Sequence, residues 1–260
     1  MIYFVADGRS DCGRVRGHNE DTLLVDSKRG LFAVADGMGG HAGGEIASGL
    51  AVTTMFRTLS DNKRSKAEPC SREMLQTAVE QANNAVYQDA RLHPERKEMG
   101  TTLTVLCWGL RQFYLAHVGD SRAYRLRGNE LTQLTTDHTW VDMQVRAGLL
   151  TREEAEHARM RHILVKSLGT QPGVESDIMP VDVEPKDRFL LCSDGLSDLV
   201  KHDDLKDILV GRGRVSSITR RLIKRANFLG GRDNITAVVI DCYDKKWHAS
   251  FNSVFNKVGR

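Results

Sequence analysis

Apolar residues recur along this chain at two different spacings, and the switches between them outline a layered domain of strands and helices. Short apolar runs at 3–6, 22–25 and 31–35 predict three β strands. A glycine-rich turn, GMGGHAGG, follows. Ile46, Ala47, Leu50, Ala51, Met55 and Leu59 then repeat at helical spacing. Leu75, Ala78, Val79, Ala82, Ala85 and Val86 form a second helical stripe. Between 101 and 134 the period returns to that of strands: TLTVLCW, FYLAHV, RAYRL and ELTQL, with turns at 110–112, 119–120 and 127–129. Connections this short predict antiparallel neighbours. Helical character resumes over 139–159, where Thr151 and Glu154 have the spacing of a capping box. Strands are expected at 174–183 and 188–192, helices at 203–210 and 216–228, and a last strand at 234–242. Meanders flanked by amphipathic helices predict layered sheets with helices outside, not a doubly wound parallel sheet. Adjacent apolar residues such as Val105 and Leu106 fit a sheet covered on both faces.

The polar stretch 60–69 reads as a surface loop inside one domain, and periodicity fades from about Asp244, so 1–243 is expected to be one domain and 244–260 a tail. A length of 260 residues suits one large layered domain. No run approaches the ~18 apolar residues of a membrane span. Asp7 and Arg9 interrupt the place where a signal peptide needs its apolar stretch. These features predict a soluble, cytoplasmic protein, with monomer as the default state. The net charge of +3 makes no case for nucleic acid. Arg220, Arg221, Lys224 and Arg225 lie at helical spacing, where a solvated helix face is favoured over a docking surface. The five cysteines are odd in number and form no CxxC, which predicts buried free thiols in a reducing compartment.

Three aspartates share one local grammar. Asp36 ends LFAVA, Asp194 follows RFLLCS, and Asp233 precedes NITAVVI. Each is expected at the end of a strand, where distant segments converge. Carboxylates are hard oxygen ligands, so a metal there would be Mg²⁺ or Mn²⁺ rather than Zn²⁺. Glycine after Asp36 and Asp194 lets the backbone approach an ion. Asp-Gly is also a common turn dipeptide, which is the competing reading. RGHNED at 16–21 adds Arg16, able to fork onto a phosphate, beside Glu20 and Asp21. Taken alone that segment reads better as a surface salt-bridge loop. GMGGHAGGE lacks the Lys-Ser/Thr of a nucleotide P-loop and reads as a tight turn. No cysteine stands six positions before an arginine, so the thiolate route of tyrosine phosphatases is absent.

Together these segments resemble the type 2C, metal-dependent serine/threonine protein phosphatases, the bacterial branch best. The matching pieces are RGHNED at 16–21, VADGMGGH at 34–41, GTTLT at 100–104, VGDSR at 118–122, LLCSDGL at 190–196 and GRDNIT at 231–236, in the family's order. The resemblance implies an α+β, four-layer α-β-β-α sandwich with two central antiparallel sheets and a metal site at one end. It implies that Asp36 bridges two Mn²⁺ or Mg²⁺ ions, that the Gly37 carbonyl binds one of them, and that Asp194 and Asp233 bind the other. Glu20 and Asp21 would support metal-bound waters, and Asp120 would help hold a third, weaker ion. Arg16 would hold the substrate phosphate, and 137–169 would form a flap beside the site. The substrates implied are phosphorylated proteins, hydrolysed by a metal-bridging water without a covalent intermediate, and the implied partner is an opposing serine/threonine kinase. Two departures stand out. Met38 replaces the histidine that follows Asp-Gly in animal members, leaving His41 as candidate general acid or as a structural turn residue. Ala158 stands where the flap commonly has proline. The rival readings are a catalytically dead binding module, disfavoured because all three aspartates are kept, and a nuclease, disfavoured by the small net charge.

Overall fold

The structure is a computed structural model that describes residues 2–39, 43–60, 69–158 and 160–244. Eleven strands form two antiparallel sheets. One has the order β1 (Ile2–Asp11), β11 (Ile235–Asp244), β10 (Arg188–Cys192), β7 (Arg122–Arg127), β8 (Glu130–Gln133). The other has the order β2 (Asp21–Asp26), β3 (Leu31–Met38), β5 (Leu103–Trp108), β6 (Gln112–Val118), β9 (Asp177–Asp182), with the short β4 (Gly100–Thr101) on the end of β3. The last strand continues through Asp244, opposite Ile2. The expected tail beyond it lies outside the described residues, as do His41 and most of the 60–69 loop.

Strand alternation explains the layers. In β3, Phe32 and Val34 point into the space between the sheets, while Leu31, Ala33 and Ala35 meet α1 (Gly43–Ser60) and α2 (Arg72–Leu92) on the outside. In β11, Val238, Ile240 and Cys242 face the other sheet. Ile235, Ala237 and Val239 face the helices α5 (Asp194–Ser197), α6 (His202–Val210) and α7 (Val215–Phe228). A strand buried on both faces needs apolar residues at both parities, and that requirement produced the continuous runs. The result is the expected four-layer α-β-β-α sandwich. Phe113 anchors the space between the sheets, with the rings of Phe4, Trp108 and Phe189 at 5.0, 5.2 and 5.4 Å. Edge and tilted contacts of this kind add to the area the rings bury. Four of the five cysteines are buried, and all are free.

The structure corrects two expectations. The region 101–134 is not one meander. Strands β5 and β6 pair, as do β7 and β8, but the chain crosses from one sheet to the other between β6 and β7. Gly119, at φ +107°, makes that turn, and the Thr102 and Ser121 hydroxyls, 2.8 Å apart, tie it to β5. Asp120 therefore sits where the two sheets meet. Asp36, second, does not end its strand. Gly37 and Met38 continue it because they pair with Thr101 and Gly100 of β4.

The flap contains α3 (Trp140–Arg146) and α4 (Arg152–His157), so the expected single helical stretch is split in two. The Thr151–Glu154 capping box is formed. The flap is pinned at both ends. His138 N donates to Gly119 O at 2.7 Å, and Gly119 N donates back to His138 Nδ1 at 3.1 Å. At the far end, Gly169 N donates to Oδ1 of the buried Asn83 at 2.9 Å.

Candidate active site

The carboxylates converge where the two sheets meet at one end. Asp21 begins β2 and stands opposite Asp36 in the β2–β3 ladder. Asp194 begins α5, directly after β10, and Asp233 lies just before β11. Asp120 occupies the turn between sheets. Elements far apart in sequence thus bring five aspartates within electrostatic reach of one another.

Their environment is unfavourable to charge. Burial, then the neighbouring carboxylates, push Asp21 up to about 7 and Asp194 up to about 6. Burial and the same neighbours hold Asp36 and Asp120 well above the ordinary carboxylate range. Glu20 is raised as well, chiefly by burial. Like charges crowded in a low-dielectric site produce this pattern when no cation offsets them.

Protein donors answer only part of the demand. Ser193 Oγ donates to Asp21 Oδ2 at 2.7 Å, and Asn234 N donates to Asp233 Oδ1 at 2.8 Å. Asp21 Oδ1 is fully buried and has no hydrogen-bond partner. Such an orphaned acceptor among oxygen ligands is what a hydrated divalent cation would satisfy, so the residues present fit Mn²⁺ or Mg²⁺. Gly37 fits the same picture. A Cβ there would lie 2.0 Å from Gly44 O and 2.7 Å from Glu20 O, so only glycine lets this backbone pass so close beside the acids.

Arg16 reaches the cluster from the β1–β2 loop. Its Nη2 donates to Asp233 Oδ2 at 2.8 Å, and its side chain is 53% exposed. The guanidinium is therefore anchored at one edge and open to an incoming ligand. Asn234 fixes this loop. Its Oδ1 accepts from Glu20 N at 2.8 Å, and its Nδ2 donates to His18 O at 2.8 Å and Cys12 O at 3.1 Å.

Two neighbours escaped the sequence reading. His162, in the flap, brings Nδ1 to 3.6 Å from Asp198 and 3.8 Å from Asp194. These three residues offer ligand atoms within 4.8 Å of one another. Asp198 carried a readable signal, because it lies four residues after Asp194 on a helical turn and so shares its face. His162 carried none, since only the fold of the flap places it there.

Comparison with known proteins places the chain in a family. The sequence profile described as protein phosphatase 2C matches residues 12–227. The serine/threonine phosphatase stp of Listeria welshimeri is 36% identical over 243 residues, covering 91% of this chain and 95% of that protein. PstP of Mycobacterium tuberculosis is 40% identical over 238 residues, covering 91% of this chain and 44% of PstP. The solved structure of the PstP catalytic domain in complex with two manganese ions superposes with a TM-score of 0.83 at 38% identity, covering 94% of this chain and all of that one. The profile spans most of the sequence and the relatives exceed a third identity over nearly its whole length: the chain belongs to the protein phosphatase 2C family.

Proposed function

We propose that the chain is a metal-dependent phosphatase that hydrolyses phosphoserine and phosphothreonine in proteins, with Asp36, the Gly37 carbonyl, Asp194 and Asp233 holding two Mn²⁺ or Mg²⁺ ions. The observation that carries this reading is the group of aspartates raised by burial and by one another, together with an orphaned Asp21 oxygen. Glu20 and Asp21 accept hydrogen bonds from water around the ions, and Asp120, beside Asp194 and Asp198, supports a third, weaker ion. Bound there, the ions would supply Lewis-acid charge and would lower the pKa of a nearby water.

The protein's own residues do the rest. Arg16 holds two phosphoryl oxygens and aligns the phosphorus for in-line attack. Water supplies the new P–O bond, the serine or threonine oxygen leaves and takes a proton, and no phosphoenzyme forms. Asp21 Oδ1 is a free acceptor for a proton of the attacking water. Met38 cannot protonate the leaving alkoxide, because a thioether has no proton to give. His41 is the candidate donor.

The opposing enzyme is a serine/threonine kinase, since only such a kinase makes the substrate. A monomeric, cytoplasmic protein belongs to the same proposal, as does a domain running over 1–243 with a flap at 137–169 and a tail after it. No helix among the described residues is long and apolar enough to cross a membrane.

The test is hydrolysis of a phosphothreonine peptide and of DNA, with Mn²⁺ and with EDTA. Peptide hydrolysis that requires Mn²⁺ or Mg²⁺ and stops in EDTA is expected. Full activity in a chelated, metal-free sample would overturn the metal mechanism, and preferential cleavage of DNA would favour a nuclease.

A further inference from the structure

A second polar cleft, of about 640 Å³, lies between the end of β1 and helix α7. Four cations line it: Arg9 and Arg14 from the β1 side, Arg220 and Lys224 from the helix. Arg9 is occupied, its Nε donating to Asp7 Oδ2 at 3.2 Å. The side chains of Arg14, Arg220 and Lys224 have no hydrogen-bonded or ion-paired partner among the described residues. The cleft's carboxylate, Asp11, is committed to the scaffold, since its Oδ1 accepts from Gly13 N at 2.9 Å and from Asn227 Nδ2 at 3.0 Å.

The other half of the same basic run differs. Arg225 pairs with Asp204 at 2.6 Å, and Arg221 donates to Ile208 O at 3.4 Å. Helix α7 thus spends Arg221 and Arg225 on α6 and leaves Arg220 and Lys224 together on the cleft. These two are one helical turn apart, where like charges repel. Arg14 faces them from the other wall. An anion in the cleft would relieve this repulsion and receive up to two guanidinium forks.

The cleft adjoins the loop that carries Arg16. Arg14 N donates to Gly231 O at 2.7 Å, beside the Asp233 segment. Arg16, which pairs with Asp233, is two residues along the same loop, so the Arg14 and Arg16 Cα atoms are at most about 7 Å apart. A peptide whose phosphate meets Arg16 can run on into the cleft.

Resting on the phosphatase reading above, we propose that this cleft binds a second phosphoryl group on the same substrate chain. Multiply phosphorylated segments are then preferred substrates. A phosphoryl group carries about −1.5 to −2 charge and several acceptor oxygens, which matches two arginines and a lysine better than a single carboxylate does.

The test compares peptides with one phosphothreonine, with two, and with the second replaced by glutamate, at spacings of about three to eight residues, an extended chain covering about 3.3 Å per residue. At one spacing the doubly phosphorylated peptide should show a KM lower by about tenfold, the effect of one charge-assisted contact. In R220E/K224E that advantage should vanish, while hydrolysis of p-nitrophenyl phosphate stays within about twofold of the unmutated protein. R220Q/K224Q serves if charge reversal prevents folding. An advantage retained in a folded variant, an equal gain from glutamate, or a matching loss on p-nitrophenyl phosphate would each overturn the proposal. Failure of the unmutated protein to hydrolyse any phosphate ester would instead remove the phosphatase reading on which it rests.

Discussion

The two ends of the sandwich treat buried aspartate in opposite ways. At the end formed by Arg188 and Asp241, the buried Asp187 and Asp241 each have an arginine. Arg127 forks onto Asp187 at 2.9 and 2.7 Å, and Arg188 forks onto Asp241, also reaching Leu209 O. At the other end Asp21, Asp36, Asp120 and Asp194 crowd together, and burial and mutual repulsion raise all four. The same residue type is structural where a guanidinium forks onto it at one end, whereas at the other only Asp233 meets an arginine and the remaining acids stay chemically available. The uncompensated end carries a standing electrostatic cost that a bound cation offsets, and the compensated end supplies rigidity.

The sharpest way to break this contrast is to alter a proposed ligand. Asp194→Asn should keep the fold and lower turnover by about three orders of magnitude, about 4 kcal/mol at 1.36 kcal/mol per tenfold. Steady-state kinetics at saturating Mn²⁺ with a circular dichroism check measures this, and near-normal turnover would mean that Asp194 is not a ligand. Arg127→Ala probes the opposite end. It leaves Asp187, whose side chain is only 1% exposed, without its fork, and should cost about 2–3 kcal/mol, less than the ~3–5 kcal/mol of a fully buried broken pair because Arg127 itself is partly exposed. Urea unfolding reads the loss, and kcat/KM should stay unchanged in the folded fraction. A stability change near zero would show that the two ends do not differ as described.

Arg16→Ala should lower kcat/KM by about one to two orders of magnitude, from a charge-assisted contact worth roughly 1.5–3 kcal/mol. Lysine should restore only part of it, lacking the planar fork. Manganese titration by calorimetry supplies the control, because a collapse of metal affinity would reassign Arg16 from phosphate to metal-site support. The smallest effect concerns acid. Asp21 and Asp194, raised to about 7 and about 6, bind more protons folded than unfolded, so stability falls as pH rises through that window. Without metal, lowering the pH from about 8 to about 6.5 should therefore raise Tm by about 2–4 °C, the response to about 1 kcal/mol in a domain of this size. Below that range His117, buried and held down at about 4, works in the other direction, because acid must charge it. Saturating Mn²⁺ should abolish the rise, since the ligands must be deprotonated to bind. A flat Tm in EDTA would deny the cluster its cost.

Much of this was legible in linear form. Strand periodicity placed β3, β10 and β11, because a strand buried on both faces writes its layers directly into the sequence. Asp36, Asp194 and Asp233 were legible because each adjoins such a run. Asp120 was visible as a motif but not as a place, since a short turn between apolar strands looks the same whether it makes a hairpin or crosses between sheets. The Arg127–Asp187 fork joins residues 60 apart and left no local trace. His162 was unreadable for the same reason: flap geometry, not spacing, carries it to Asp198.

The pairing of β1 with β11 has a consequence for how the protein is made. The first strand, Ile2–Asp11, finds its ladder partner only in Ile235–Asp244, with Ile2 opposite Asp244. During synthesis at about 5–20 residues per second, β1 waits roughly 10–50 seconds for that partner to emerge. Closing so long a loop is entropically expensive and slow, as in other folds dominated by non-local contacts. Asp233 arrives just before that strand, so the nascent chain cannot assemble the full carboxylate cluster until residue 233 has emerged. A ribosome-bound intermediate stopped before residue 230 would expose an unpaired β1 edge and should be an early client of chaperones.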